Sequence, residues 1–168
     1  MIMTLLEDFV PAPNDLTLTR PLSQIFHTVY DSFGEVMADY TFFSGPQVLY
    51  VRWHGHLTGD ELVRVSQTGL LLNEQLQPRG LFHDARGTSG DWGEASASTW
   101  MEYEWIPGVQ AKCPNLRCIA VLLDAKTPVP HANAQLLAQL DQQFDFQVFY
   151  SLFSACGWME QRTRPQTT

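Results

Sequence analysis

Basic residues are scarce in this sequence, which has 10 Lys and Arg against 18 Asp and Glu and a formal charge of −8. A protein that binds a phosphate backbone needs a basic surface, because the release of counterions supplies much of the affinity. We therefore expect no nucleic acid partner. An acidic surplus of this size favours solubility instead.

Cysteine and long apolar stretches are scarce as well. The three cysteines, Cys113, Cys118 and Cys156, form an odd set that fits small core residues in a reducing cytoplasm. Cys113 and Cys118 would make half of a zinc site only at an unusual spacing. No apolar run approaches the length that spans a bilayer, and the N-terminal MIMTLLEDFV lacks the positive region of a secretory signal. The sequence predicts a cytoplasmic protein without a membrane span.

A strand followed directly by a capped helix occupies residues 47–65, QVLYVRWHGHLTGDELVRV. Side chains alternate between two faces over residues 48–54, and Gly55 then permits a sharp bend. Thr58 and Glu61 have the spacing of a capping box at the start of an amphipathic helix. This order predicts the first half of a βαβ unit.

The remaining apolar runs predict more strands of the same sheet. Residues 35–54 read as an antiparallel hairpin, and runs at 81–85, 117–123 and 146–150 alternate with helical patterns. Continuous apolarity over 117–123 is typical of a strand covered on both faces, so we expect Ala120 and Leu122 to be fully buried. An aromatic helix capped by Asp91 or Glu94, with Ser96 or Ser98 as later alternatives, is expected to end before Pro107-Gly108.

These elements predict an α/β fold, with a mixed sheet in which an N-terminal antiparallel hairpin is followed by parallel βαβ units. We expect an extended arm over residues 1–24, a single domain over 25–160 and a tail over 161–168. Ser151 is expected to cap the closing helix.

The order of elements resembles the STAS-like domains, which are typified by bacterial anti-sigma-factor antagonists and grouped with CRAL-TRIO folds. The resemblance lies in five segments between residues 35 and 160: VLYVRWHGHLTGDEL at 48–62, LFHDARG at 81–87, EWIPGV at 104–109, RCIAVLL at 117–123 and FQVFYSLFSACGWM at 146–159. It implies a module that regulates by binding a partner protein or a small ligand. The antagonists are switched by phosphorylation of a serine in an Asp-Ser-Ser-Gly sequence. Thr88 and Ser89 lie nearest to that place, in a loop that reads ARGTSGDWGE.

Histidines form one candidate site. His54 and His56 lie two residues apart at the end of one strand, and His83 and Asp84 lie near the end of the next. Ligands of open α/β sheets bind at such strand ends, and three imidazoles with a carboxylate suit zinc or another divalent metal. The alternative is that Gly55 separates the pair and each histidine bonds a turn carbonyl.

The loop Arg86–Gly90 offers two further hypotheses. Ser89 would act as a nucleophile with His83 as its base, although GTSGD is not the GxSxG elbow. Alternatively, backbone N–H groups around Arg86 would hold an anion, although the Walker lysine is missing and Asp91 repels phosphate. A plain flexible loop is the simplest interpretation.

A cluster of large aromatic side chains is the last candidate, a ligand or partner surface formed by Trp92, Trp100, Tyr103 and Trp105. Their spacing spreads them around one helix, so an exposed interface and a wholly buried helix are both open.

Three functions follow from these candidates. The first is a non-enzymatic regulatory or scaffolding module that binds a partner protein and itself, as a homodimer. The second is a binder of a small apolar ligand, such as a lipid, held between the sheet and the aromatic helix. The third is a metal-dependent enzyme that uses His54, His56 and His83. No cofactor is expected for the first two.

Overall fold

The computed structural model of this protein describes residues 24–166. The expected N-terminal arm therefore lies outside the described residues, apart from its last residue. The strands are β1 Gln24–Tyr30, β2 Val36–Phe43, β3 Val48–Trp53, β4 Gly55–His56, β5 Gly80–Asp84, β6 Thr88–Ser89, β7 Cys118–Leu122 and β8 Phe146–Phe149. The helices are α1 Gly59–Leu76, α2 Ala95–Trp100, α3 Ile106–Lys112, α4 His131–Gln143 and α5 Leu152–Thr163, with a π-helical turn at Met101–Trp105 between α2 and α3.

Six of the described strands form one mixed sheet in the order β1-β2-β3-β5-β7-β8. The first three strands are antiparallel neighbours, whereas β3, β5, β7 and β8 run parallel to one another. Strands β4 and β6 make a separate parallel pair. The predicted α/β class, with an antiparallel hairpin followed by parallel βαβ units, is confirmed.

Helices cover both faces of the sheet and create two separate cores. Leu49 and Val51 of β3 belong to the larger core, together with buried side chains of α1, α2, α3 and α4. Val48 and Tyr50 of the same strand belong to a smaller core that α5 closes. The alternation read from the sequence therefore places each side chain of β3 on its expected face.

The central strand β7 is buried along its whole length, because helices lie on both of its faces. Ala120 and Leu122 are both 0% exposed. This confirms the expectation that the continuous apolar run at 117–123 is a strand covered on both sides.

Local capping explains where the long helix starts and stops. The Thr58 hydroxyl accepts from the Glu61 N–H at 3.3 Å, and the Glu61 carboxylate accepts from the Thr58 N–H at 2.9 Å. Gln77 ends α1 in the left-handed conformation, just before Pro78. The predicted capping box is confirmed, as is the cap at Ser151, whose hydroxyl accepts from the Ser154 N–H at 3.4 Å.

The aromatic helix differs from the prediction at both ends. Trp92 lies in a turn before α2, and Glu94 stands at the N-cap position without capping α2 through its side chain. Its carboxylate accepts instead from the Gly59 N–H at 2.8 Å and so supports the start of α1. The expectation that the helix ends before Pro107 is wrong, because α3 continues through Pro107 to Lys112. The π turn precedes Pro107 and widens the backbone spacing where the proline ring and missing N–H would otherwise break a regular helix.

The last strand and the last helix end at different residues from those predicted. Tyr150 follows β8 as an exposed residue and is not part of that strand. Helix α5 reaches Thr163, which is buried and donates through its hydroxyl to the Met159 carbonyl at 2.9 Å.

No helix among residues 24–166 combines the length and apolarity needed to cross a bilayer.

Candidate functional site

An apolar cavity of about 60 Å³ lies in the larger core, at the carboxyl ends of the parallel strands. The sheet contributes Trp53, His83 and Val121 to its wall, and Ala85, directly after β5, adds to it. Helices and loops supply the rest, among them Leu62, Trp92, Met101, Trp105 and Leu136. Strand ends are where open α/β sheets bind ligands, so the cavity occupies the position that the fold favours for a site.

His83 is the ionisable side chain in this wall. Its Nδ1 accepts from the Trp53 indole N–H at 3.2 Å, and the two rings lie 6.0 Å apart at 30°. An indole nitrogen can only donate, so Nδ1 must be unprotonated and the neutral ring must carry its proton on Nε2. Burial lowers the pKa of His83 to about 4. The ring is therefore neutral at physiological pH.

Trp92 is held in the wall by the contact between its turn and α4. The Gly93 N–H donates to the Asn133 side-chain oxygen at 2.8 Å, and the Asn133 amide donates to the Gly90 carbonyl at 3.0 Å. Gly93 packs so closely on Ala132 that a Cβ would lie 2.3 Å from its carbonyl oxygen. Only glycine fits there, so this turn is fixed by packing and not only by its own hydrogen bonds.

The π turn supplies Met101 and Trp105 to the same wall, and both are buried. In an α-helix, side chains four residues apart drift by about 40° around the axis. A π turn opposes that drift because its hydrogen bonds span five residues. Ala97, Met101, Trp105 and Val109 are consequently all buried in the larger core, four residues apart in succession. Phe144 packs edge-on against Trp105, with ring centroids 6.0 Å apart.

The four aromatic residues predicted as a ligand or partner surface are thus divided between two places. Trp92 and Trp105 are buried and line the cavity. Trp100 is half-buried against the larger core, and Tyr103 is 69% exposed. The helix has both an inward aromatic face and a small outward one.

The histidines predicted as metal ligands have separate partners. His54 Nε2 lies 2.9 Å from Asp39, whose other carboxylate oxygen accepts from the Thr28 hydroxyl at 2.8 Å. His56 Nδ1 lies 3.1 Å from the Ser89 hydroxyl, and His83 faces the cavity. Gly55, with φ +75°, turns the chain between His54 and His56. Within residues 24–166, no group of three His, Cys, Asp or Glu side chains converges as a metal site would require.

Asp84 belongs to the opposite face of the sheet from His83. It is buried and accepts two hydrogen bonds from the Arg86 guanidinium, at 2.9 and 2.8 Å, one from the Arg86 backbone N–H at 3.3 Å, and one from the Tyr50 hydroxyl at 2.6 Å. Burial alone would raise the pKa of Asp84, but the hydrogen bonds from Arg86 and Tyr50 outweigh it and lower that pKa. This network keeps a buried carboxylate charged and compensated, as a buried charge requires.

The contacts of residues 86–90 match neither the predicted pair of Ser89 and His83 nor the predicted anion site around Arg86. The Arg86 guanidinium is engaged with Asp84, and the Thr88 hydroxyl donates to the Ala85 carbonyl at 2.7 Å. Ser89 pairs with His56 and not with His83. Gly90, with φ +99°, packs against the Leu57 carbonyl.

Sequence reasoning missed several members of the cavity wall. Ser66 in α1, Leu57 before it and the leucines of α4 line the space. The spacing of Leu136, Leu137 and Leu140 is typical of the inward face of a helix, but periodicity carries no information about the volume that these side chains leave unfilled. Asn133, which fixes the Trp92 turn, has no recognisable local signal.

No protein-family model matches the sequence, and no curated protein matches it. Among solved structures, the chain is similar to an uncharacterized protein of the DUF3478 family from Shewanella loihica PV-4, described as having a SpoIIAA-like fold. The match has 12% sequence identity and a TM-score of 0.42, and it covers 84% of this chain and 98% of that chain. The likeness concerns the fold alone.

Proposed function

We propose that this protein is a non-enzymatic regulatory module that holds a small apolar molecule in the cavity between its sheet and its aromatic helix. The main observation that supports this proposal is the cavity itself. It lies at the strand ends and is lined by side chains that include three tryptophans, a methionine and several leucines. Protein cores pack to crystal-like density with few voids larger than a water molecule. A partly open space of about 60 Å³ in this position can accept a small occupant.

The size of the cavity sets the size of the ligand. An engineered apolar cavity of about 150 Å³ stays dry and binds benzene. The present cavity, at about 60 Å³, is less than half that size, so it suits a molecule of only a few heavy atoms, or one arm of a larger molecule. The cavity is too small for a whole lipid, so the class of ligand is smaller than the lipid considered from the sequence.

The chemistry of the wall supports binding without catalysis. The imidazole of His83 is neutral and is fixed by Trp53, and the Thr88 hydroxyl is engaged with a backbone carbonyl. Ser89, the nucleophile considered from the sequence, pairs with the exposed His56 and is not part of the wall. A nucleophile activated by a base is what acyl transfer requires, and the wall has none among the described residues.

The same helix connects the cavity to the outer surface, which supports a regulatory role. Met101 and Trp105 line the cavity, while Tyr103, between them in the π turn, is 69% exposed. π turns are often found at functional sites. An occupant that pushes on Met101 and Trp105 would reposition Tyr103 and the half-buried Trp100. A protein partner that binds these two side chains would then respond to the occupant.

Thermal unfolding with the hydrocarbon 2-methylpropene tests the proposal. At a free concentration about ten times its dissociation constant, a ligand that binds only the folded state raises the free energy of unfolding by about 1.4 kcal/mol. This corresponds to a rise of about 3–6 °C in Tm. We expect this rise for the wild type and for Ala125→Leu, which adds the same side chain at an exposed turn. Ala85→Leu, which fills the cavity, should abolish it. Equal shifts in the two variants, or none in the wild type, would refute the proposal, and native mass spectrometry of the purified protein would identify a retained ligand.

Self-association is a second candidate, because apolar side chains are exposed beside the edge strand β8. Phe153 is 74% exposed and Tyr150 is also exposed, and within residues 24–166 β8 has a strand neighbour on one side only. Twofold dimers are the commonest assembly of soluble proteins, and unpaired strand edges are prone to pairing. Sedimentation at micromolar concentration should show a dimer that Phe153→Glu dissociates and Phe33→Glu leaves intact, since Phe33 is 91% exposed in the β1–β2 turn. A monomeric wild type would end this candidate.

A further inference from the structure

Besides Trp53, three side chains with ring N–H groups line the cavity. The indole N–H groups of Trp92 and Trp105 have no hydrogen-bond partner among the described residues, and neither does the Nε2–H of His83. None of these three nitrogens is sealed in the core, since Asn73 Oδ1 is the buried side-chain N or O atom that lacks a partner among the described residues. An accessible ring N–H group can donate to an acceptor that a bound molecule brings.

The protonation of His83 follows from its neighbour. Because the Trp53 indole can only donate, the hydrogen bond at 3.2 Å requires a lone pair on His83 Nδ1. The neutral ring is then held with its proton on Nε2. His83 can therefore offer a donor to an occupant, and it has no further ring acceptor to offer.

Formal charges are absent from the described wall of the cavity. Its polar side chains besides these rings are Ser66 and Thr88, and the Thr88 hydroxyl already donates to the Ala85 carbonyl. Ser66 can donate or accept. A charged occupant would lose its hydration without gaining an ion-pair partner, which is costly in an apolar site. The wall thus favours an occupant that is neutral and accepts hydrogen bonds.

We propose that the ligand is a small neutral molecule with an apolar body and a carbonyl-type oxygen, and that His83 Nε2–H donates to that oxygen. This inference rests on the proposed function, because it names the ligand class of the same cavity. A carbonyl oxygen has two lone pairs, so a Trp92 or Trp105 indole N–H can share it with His83. A hydrocarbon of the same shape fills the space but leaves the donors unpaired.

Two probes that differ only in the acceptor test the assignment, namely acetone and 2-methylpropene, in which CH₂ replaces oxygen. Dissociation constants are measured by NMR titration of the wild type and of His83→Phe, which keeps a ring but removes the donor. We expect His83→Phe to raise the dissociation constant of acetone about tenfold and to change that of 2-methylpropene less than about threefold. His54→Phe makes the same substitution outside the cavity and should leave both constants unchanged. Equal effects of His83→Phe on the two probes would overturn the assignment.

A measurement on the unmodified protein covers the case in which His83→Phe does not fold. In protein with ¹⁵N-labelled histidine at pH 7, His83 should show the Nε2–H tautomer, and acetone should shift its Nε2 resonance. 2-Methylpropene should leave Nε2 without a hydrogen bond. An Nδ1–H tautomer, or saturation by acetone without a change at Nε2, contradicts the inference alone. Failure of both probes to bind the wild type contradicts the proposed function as well.

Discussion

At the scale of single residues, His83 carries both the chemistry of the site and a cost in stability. Its pKa is about 4 in the folded protein because of burial, against about 6.5 for an unfolded chain. Between these values the unfolded state binds the extra proton, so stability falls as the pH drops from about 6.5 to about 4. The loss amounts to about 3 kcal/mol over this window. Urea unfolding at pH 7, 6, 5 and 4 would measure it.

A variant without the imidazole provides the control for this pH dependence. His83→Phe should remove most of the decline between pH 6.5 and 4. Asp84 contributes in a lower range: its pKa is lowered in the folded protein, so its contribution is lost only as the pH falls below the usual carboxyl value. An unchanged slope in His83→Phe would show that other groups cause the decline.

The sequence identified some residues of the site without identifying their roles. His83, Trp92 and Trp105 were candidates because strand ends and large aromatic side chains are recognisable in a sequence. The pairing of His83 with Trp53 was not predictable, since it depends on the register between β3 and β5. His54 and His56 have the same residue type and similar positions, yet Asp39 and Ser89 engage them elsewhere.

At the scale of elements, the start of α1 depends on its reciprocal cap. Thr58→Ala removes the acceptor for the Glu61 N–H and should cost about 1 kcal/mol of unfolding free energy. Thr127→Ala is the matched control, because Thr127 is exposed in a turn and should change stability by less than about 0.5 kcal/mol. Equal losses in chemical denaturation would contradict the role of the cap.

The central strand β7 should be far less tolerant. Leu122 is 0% exposed in the core that α5 closes, so Leu122→Ala removes buried atoms and leaves a cavity. We expect a cost of about 2–5 kcal/mol. Leu71→Ala makes the same change at an exposed position of α1 and should be nearly neutral. A small effect of Leu122→Ala in urea unfolding would be incompatible with a strand covered on both faces.

The π turn shows where element prediction from sequence fails. Pro107 is a strong local signal for the end of a helix, yet the chain continues to Lys112 as a helix. Across the π turn, one core buries a set of four side chains, namely Ala97, Met101, Trp105 and Val109. Such an arrangement depends on tertiary packing, which local propensity does not contain.

At the scale of the whole molecule, the sheet was predictable because its signals are local. The alternation in β3, the apolar run in β7 and the capping box of α1 each specify one element and its buried face. Short right-handed crossovers then leave few ways to assemble them. The cavity was expected only as a general location between the sheet and the aromatic helix. Its existence depends on how side chains from five separate parts of the chain fail to fill one space, which no local pattern encodes.

The most direct test of the ligand-binding account is methionine methyl NMR under xenon pressure. Xenon is apolar, binds engineered dry cavities and needs no assumption about the natural ligand. Met101 lines the cavity, whereas Met159 is buried in the other core, on the opposite face of the sheet. We predict a saturable shift of the Met101 methyl resonance and none at Met159, with the Met101 response lost in Ala85→Leu. A Met101 methyl that does not move, or moves no more than Met159, would contradict the claim that this protein binds a small apolar molecule there.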